Sequence, residues 1–104
     1  MGLEAERTGN GDWLVKVMSG PSIHCKAADA TLQVSNISTG QIVIKCKLTT
    51  LNSTDGTFSD KDGDKLVDAG DTILLRDTDN VGPRMKVEVL NGEERIGMIR
   101  ELPA

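Results

Sequence analysis

The strongest constraint on this chain is a two-residue alternation of apolar and polar side chains that recurs in short runs. Neighbouring side chains of a strand point to opposite faces, so alternation marks a strand with one buried face, whereas a helix needs a 3.6-residue period. Residues 12–18 set Trp13, Val15 and Val17 on one face, and residues 30–35 do the same with Ala30, Leu32 and Val34. Residues 41–48 make the longest run, with Ile42, Ile44, Cys46 and Leu48 expected inward and Val43, Lys45 and Lys47 outward. Residues 72–77 read as a further strand. Residues 84–90 follow with Met85, Val87 and Val89 inward, then residues 94–102 with Ile96, Met98 and Ile99 expected buried. No helical period of useful length occurs. Ser19-Gly20-Pro21-Ser22 and Asn36 to Gly40 read as turns between these runs, and Asn91-Gly92 reads as a type I′ hairpin turn. Six to seven short strands separated by turn signals predict an all-β fold, an antiparallel β-sandwich. Residues 1–11 are polar and end in Thr8-Gly9-Asn10-Gly11, so they are expected to be a loose or disordered entry to a single domain over residues 12–104.

Composition narrows the function. The only aromatics are Trp13 and Phe58, so the core must come from Val, Ile, Leu and Met, and no stacking platform for sugars or bases is expected. The net charge of −4 and the lack of a basic patch argue against a nucleic-acid partner. No stretch approaches the ~20 apolar residues of a membrane span, and Met1 to Arg7 lack the apolar core of a signal peptide.

One stretch carries chemistry: Asp60-Lys61-Asp62-Gly63-Asp64-Lys65-Leu66-Val67-Asp68-Ala69-Gly70-Asp71. Its carboxylates fall at loop positions 1, 3, 5, 9 and 12. A calcium loop presents oxygens at 1, 3 and 5, a backbone carbonyl at 7 (here Leu66), a group at 9 and a closing carboxylate at 12. Calcium takes six to eight hard oxygens, and alternate residues of a tight loop can all point inward. Position 6 is Lys65 where the helical calcium hand has glycine, and position 12 is Asp71 in place of the longer glutamate. The expected metal ligands are therefore Asp60, Asp62, Asp64, Leu66, Asp68 and Asp71, with Ca²⁺ favoured over Mg²⁺, which prefers few carboxylates and retained waters. The competing reading is a solvated acidic turn between two strands.

Cys25 and Cys46 lack metal or redox spacing, so they are either one disulfide, closing a loop of about twenty residues, or two buried thiols. Asn36-Ile37-Ser38 and Asn52-Ser53-Thr54 are candidate N-glycosylation sites at Asn36 and Asn52, although such tripeptides also arise by chance. His24 is the only histidine, and in a strand it would point away from its neighbour Cys25, which argues against a thiolate–imidazole pair. With no nucleophile, base or phosphate-cradling loop in evidence, a non-enzymatic structural or binding module is expected. Sequons, a calcium-type loop and a β-sandwich together point to an extracellular or cell-surface protein, with a cytoplasmic location left open.

The run Phe58 to Ile73 resembles the D-x-D-x-D-x-x-(V/L)-x-x-G-D segment of archaeal type IV pilin-like and archaellin-like surface proteins. The likeness extends over roughly residues 30–103, because a strand and a final hairpin follow the segment in both. It implies a β-sandwich head exposed outside the cell, carried in that family on an N-terminal hydrophobic helix that this sequence does not contain. The implied function is a structural or adhesion module with one calcium-stabilised loop, partnered by copies of itself or by other surface proteins. A viral decoration or tail β-sandwich protein and a polysaccharide-binding accessory domain are the alternatives.

Overall fold

A computed structural model of the protein describes residues 1–9, 11–21, 25–51, 57–61, 63, 65–76 and 81–103. Among these are eight strands: β1 Gly2–Arg7, β2 Trp13–Ser19, β3 Ala30–Ser35, β4 Ile42–Lys47, β5 Thr57–Ser59, β6 Thr72–Leu75, β7 Lys86–Asn91 and β8 Glu94–Ile99. They form two four-stranded antiparallel sheets, ordered β1-β2-β6-β5 and β4-β3-β7-β8. The expected antiparallel sandwich is therefore present, and β1 lies against β8 where the two sheets meet.

The core follows from the alternation. Trp13, Val15 and Val17 of β2 and Ile73 and Leu75 of β6 face Ala30, Leu32, Val34, Val87 and Val89 of the second sheet, all essentially inaccessible to solvent. Branched aliphatic side chains suit a pleated, half-buried surface, which is why a core with two aromatics still closes. Leu48, Leu51, Val67, Val81 and Leu102, from segments outside the strands, are buried in the same core. Trp13 is the largest buried residue, and both its polar and its π surfaces are used. Its Nε1–H donates to the Pro103 carbonyl at 3.0 Å, and the Arg7 guanidinium sits 4.2 Å from its ring centre. The chain's last described residues are thereby tied to β2, helped by reciprocal backbone bonds joining Leu102 to Arg84 and Met85.

Four local departures from the sequence reading have identifiable causes. Residues 2–7, expected to be a loose entry, form β1 and pair with β2 along their whole length. Only Leu3 and Ala5 turn inward, so this edge strand is too polar to be recognised alone. A Cβ at Gly97 would lie 2.6 Å from the Met1 Cε, so the missing side chain on β8 makes the room that the N-terminus occupies. Ile42, expected in the core, is 46% exposed. The ladder steps from Val34↔Ile44 to Ser35↔Ile42, and the extra residue, Val43, turns Ile42 outward. Met98 likewise faces out, because Val89↔Gly97 and Val87↔Ile99 are the inward pairs on β8. The final hairpin turns at Gly92-Glu93, one residue later than expected, since Asn91 still pairs with Glu94. Of these two, only Gly92 has positive φ (64°), as a type II′ turn requires.

Replacing Leu32 by Ala should cost about 3 kcal/mol, because its fully buried site cannot collapse around the missing atoms. Ile42→Ala should cost less than about 1 kcal/mol. Urea unfolding followed by Trp13 fluorescence would show both.

Candidate metal centre

The acidic segment is the connection of the β5–β6 hairpin. The last ladder pair is Ser59↔Thr72, so register alone brings the loop's first and last residues, Asp60 and Asp71, to the same place. The second half of the loop is laced to the sandwich body. The amide of Val17 donates to the Asp71 carbonyl and that of Gly70 to the Val17 carbonyl, extending the β2 pairing into the loop. Leu66 pairs with Lys26 in an isolated bridge, flanked by hydrogen bonds from Ala27 N to Lys65 O and from Val67 N to Cys25 O. Val67, at loop position 8, is 2% exposed and anchors the loop in the core.

Within this frame, one oxygen from each of Asp60, Asp68 and Asp71 lies within 4.8 Å of the others. Oxygens that share one calcium at 2.3–2.6 Å are at most about 5 Å apart, so the spacing fits a single ion. The donor set is all carboxylate, which suits a hard cation and not zinc or copper. Asp71 is wholly buried. Its Oδ1 accepts the Lys61 N–H and its Oδ2 the Asp68 N–H, both at 2.9 Å. Asp60 accepts from the Gly63 and Lys65 amides, at 3.2 and 2.7 Å. These bonds hold the carboxylates in place before any ion arrives, and each oxygen keeps a second lone pair for one. The same bonds also let the loop close without a metal, which the competing acidic-turn reading requires.

Of the expected ligands, the structure brings together Asp60, Asp68 and Asp71. Asp62 and Asp64 lie outside the described residues, as do Asn52 and His24. Leu66 is placed by its bridge to Lys26. Lys65, at position 6, adopts φ = 65°, the left-handed conformation that glycine supplies at that point of a calcium hand. The backbone requirement survives although the residue does not. Sequence reasoning passed over the amides of Lys61, Lys65 and Asp68, because a backbone donor leaves no mark in residue type.

Cys25, buried, and Cys46, half-buried, are not joined in a disulfide, so the disulfide alternative is not realised here. Burial raises the Cys25 pKa, the Asp29 carboxylate adds to the rise, and Lys47 opposes it. Asn36 closes the β3–β4 turn. Its Oδ1 accepts the Ser38 and Thr39 amides, and its side chain is half-exposed.

Comparison with known proteins finds no matching family model, no similar curated protein and no similar solved structure. The chain is therefore defined at the level of class, as an all-β sandwich with a carboxylate cluster on one hairpin loop that could hold a metal ion.

Asp71→Ala should destabilise the metal-free protein by about 2–3 kcal/mol, because two part-buried amides lose a charged acceptor. Asp60→Ala, whose bonds are exposed, should cost under about 1 kcal/mol by the same unfolding assay. Lys65→Gly should raise stability by up to about 1 kcal/mol by relieving the left-handed backbone; a loss of stability would show that the lysine side chain holds the loop.

Proposed function

We propose that this chain is a non-enzymatic structural or adhesion module of a cell surface, a pilin-like head whose acidic hairpin loop is stabilised by calcium. The observation that carries the reading is the convergence of Asp60, Asp68 and Asp71, held by a wholly buried Asp71. Three carboxylates supply up to six oxygens, and water or further loop groups complete the seven or so that calcium prefers. Magnesium's tighter octahedron and reluctance to shed water fit such a crowded carboxylate set less well. A weak site of this kind fills outside a cell, where calcium is plentiful, and stays empty at cytosolic concentrations. Bound calcium would fasten the β5–β6 connection to β2 and stiffen the end of the sandwich. A rigid head of this kind suits a subunit that associates with copies of itself or with other surface proteins.

The decisive test is thermal unfolding of EDTA-stripped protein with CaCl₂ or with MgCl₂. With Kd near 10 μM, calcium at 1 mM adds about 2.7 kcal/mol. For a domain of this size that is a rise of roughly 10 °C or more. Asp68→Asn keeps the side-chain shape, removes one charge, and should abolish most of the calcium gain. If neither ion moves the transition, the loop is a self-bonded acidic turn and the surface reading loses its support. Genes for a pilus-assembly ATPase beside this chain's gene would support the pilin-like part, and capsid genes there would refute it.

A further inference from the structure

The outer face of the second sheet carries a recess of about 390 Å³ at the end where β3 turns into β4. It crosses all four strands, from Ile42 on β4, through Ser35 on β3 and Lys86 on β7, to Met98 at the end of β8. At about 4.8 Å per strand it is roughly 14 Å long. Its polar lining is rich in unused donors. Ser35 is only 6% exposed, and its hydroxyl, whose oxygen still reaches solvent, makes no hydrogen bond to the described residues. The Gln33 amide and the Arg100 guanidinium also line the recess and likewise have no partner among the described residues. Asn36 spends its Oδ1 on the turn, which leaves its amide nitrogen as a donor. Lys86 is shared with Glu88 at 3.4 Å.

We infer that this recess binds a small monoanionic carboxylate with a short apolar group. The charges lining it are Lys86, Arg100 and Glu101, and because Glu88 offsets Lys86, Arg100 is the main positive charge, which suits a monoanion better than a phosphate dianion. The planar guanidinium of Arg100 matches a carboxylate in two-point geometry, and the Ser35 hydroxyl supplies a further donor. Ile37 and Ile42, 52% and 46% exposed, form an apolar rim beside these donors, and Met98 adds a flexible apolar wall. The bulge that turns Ile42 out of the core puts it on this rim. The site is independent of the acidic loop, so its failure and that of the calcium reading are separable.

The test is a nitrogen-15 amide titration of unglycosylated protein with 3-methylbutanoate. Controls are its neutral amide, inorganic phosphate, and acetyl-glycyl-leucine, which carries the same groups on a peptide end. For a seven-atom ligand the expected Kd is on the order of 1 mM, with saturable shifts confined to residues 33–42, 86 and 98–101. The neutral amide should bind at least about tenfold more weakly, and Arg100→Gln should weaken the carboxylate by a similar factor. Ser35→Ala should weaken it about fivefold while leaving Trp13 fluorescence unchanged. Tighter binding of the dipeptide would identify a chain terminus as the carboxylate's source. The inference is overturned by the absence of saturable shifts, by equal binding of the amide, by tighter binding of phosphate, or by a folded Arg100→Gln protein that binds unchanged.

Discussion

The fold rests on the burial of small branched side chains between two sheets. Trp13 is the only large aromatic in the interior, so Val, Leu, Ile and Ala must supply the apolar surface that offsets the entropy of ordering the chain. That demand controls strand phase throughout. Val15, Val17, Leu32, Val34, Val87 and Val89 all alternate inward, and a one-residue slip in any of these strands would expose its whole apolar set. Trp13 then joins parts of the chain far apart in sequence, stacking under Arg7 of β1 and holding the Pro103 carbonyl.

The same constraint positions the acidic loop. β6 is fixed by Ile73 and Leu75 in the core and by its pairing with β2, and β5 is fixed in turn by pairing with β6. Asp60 and Asp71 follow as neighbours of the last pair. Val67 dips into the core, and the Cys25–Ala27 segment pairs beside it, so a twelve-residue connection becomes a supported loop. A carboxylate cluster on such a frame has little freedom to spread its charges, which is the physical reason it could hold a cation. The buried oxygens of Asp71 act at two levels, organising the loop through backbone amides and contributing to the cluster.

Much of the fold was legible from residue types. The inward faces of β2, β3 and β7 follow from alternation, because one-sided burial leaves a two-residue period. The misreadings fall where tertiary contact outweighs pattern. β1 exists because β2 offers it an edge, and its own residues are too polar to declare a strand. Ile42 and Met98 were assigned to the core on hydrophobicity, yet a bulge and the ladder phase set by Gly97 turn them to the outer face. The recess was not legible at all, since it gathers Ser35, Lys86 and Arg100 from strands adjacent only in space.

By itself the sequence determined an all-β chain, the inward residues of its strong strands, and a loop dense in carboxylates at calcium-like spacing. These are local properties, written in periodicity and in the chemistry of neighbouring residues. Only the tertiary structure decided which strands pair, that Asp60, Asp68 and Asp71 converge, that the two thiols are not joined in a disulfide, and that donors collect beside exposed isoleucines. Such features depend on register and on non-local packing, where one extra residue in a ladder reverses the face on which a side chain appears.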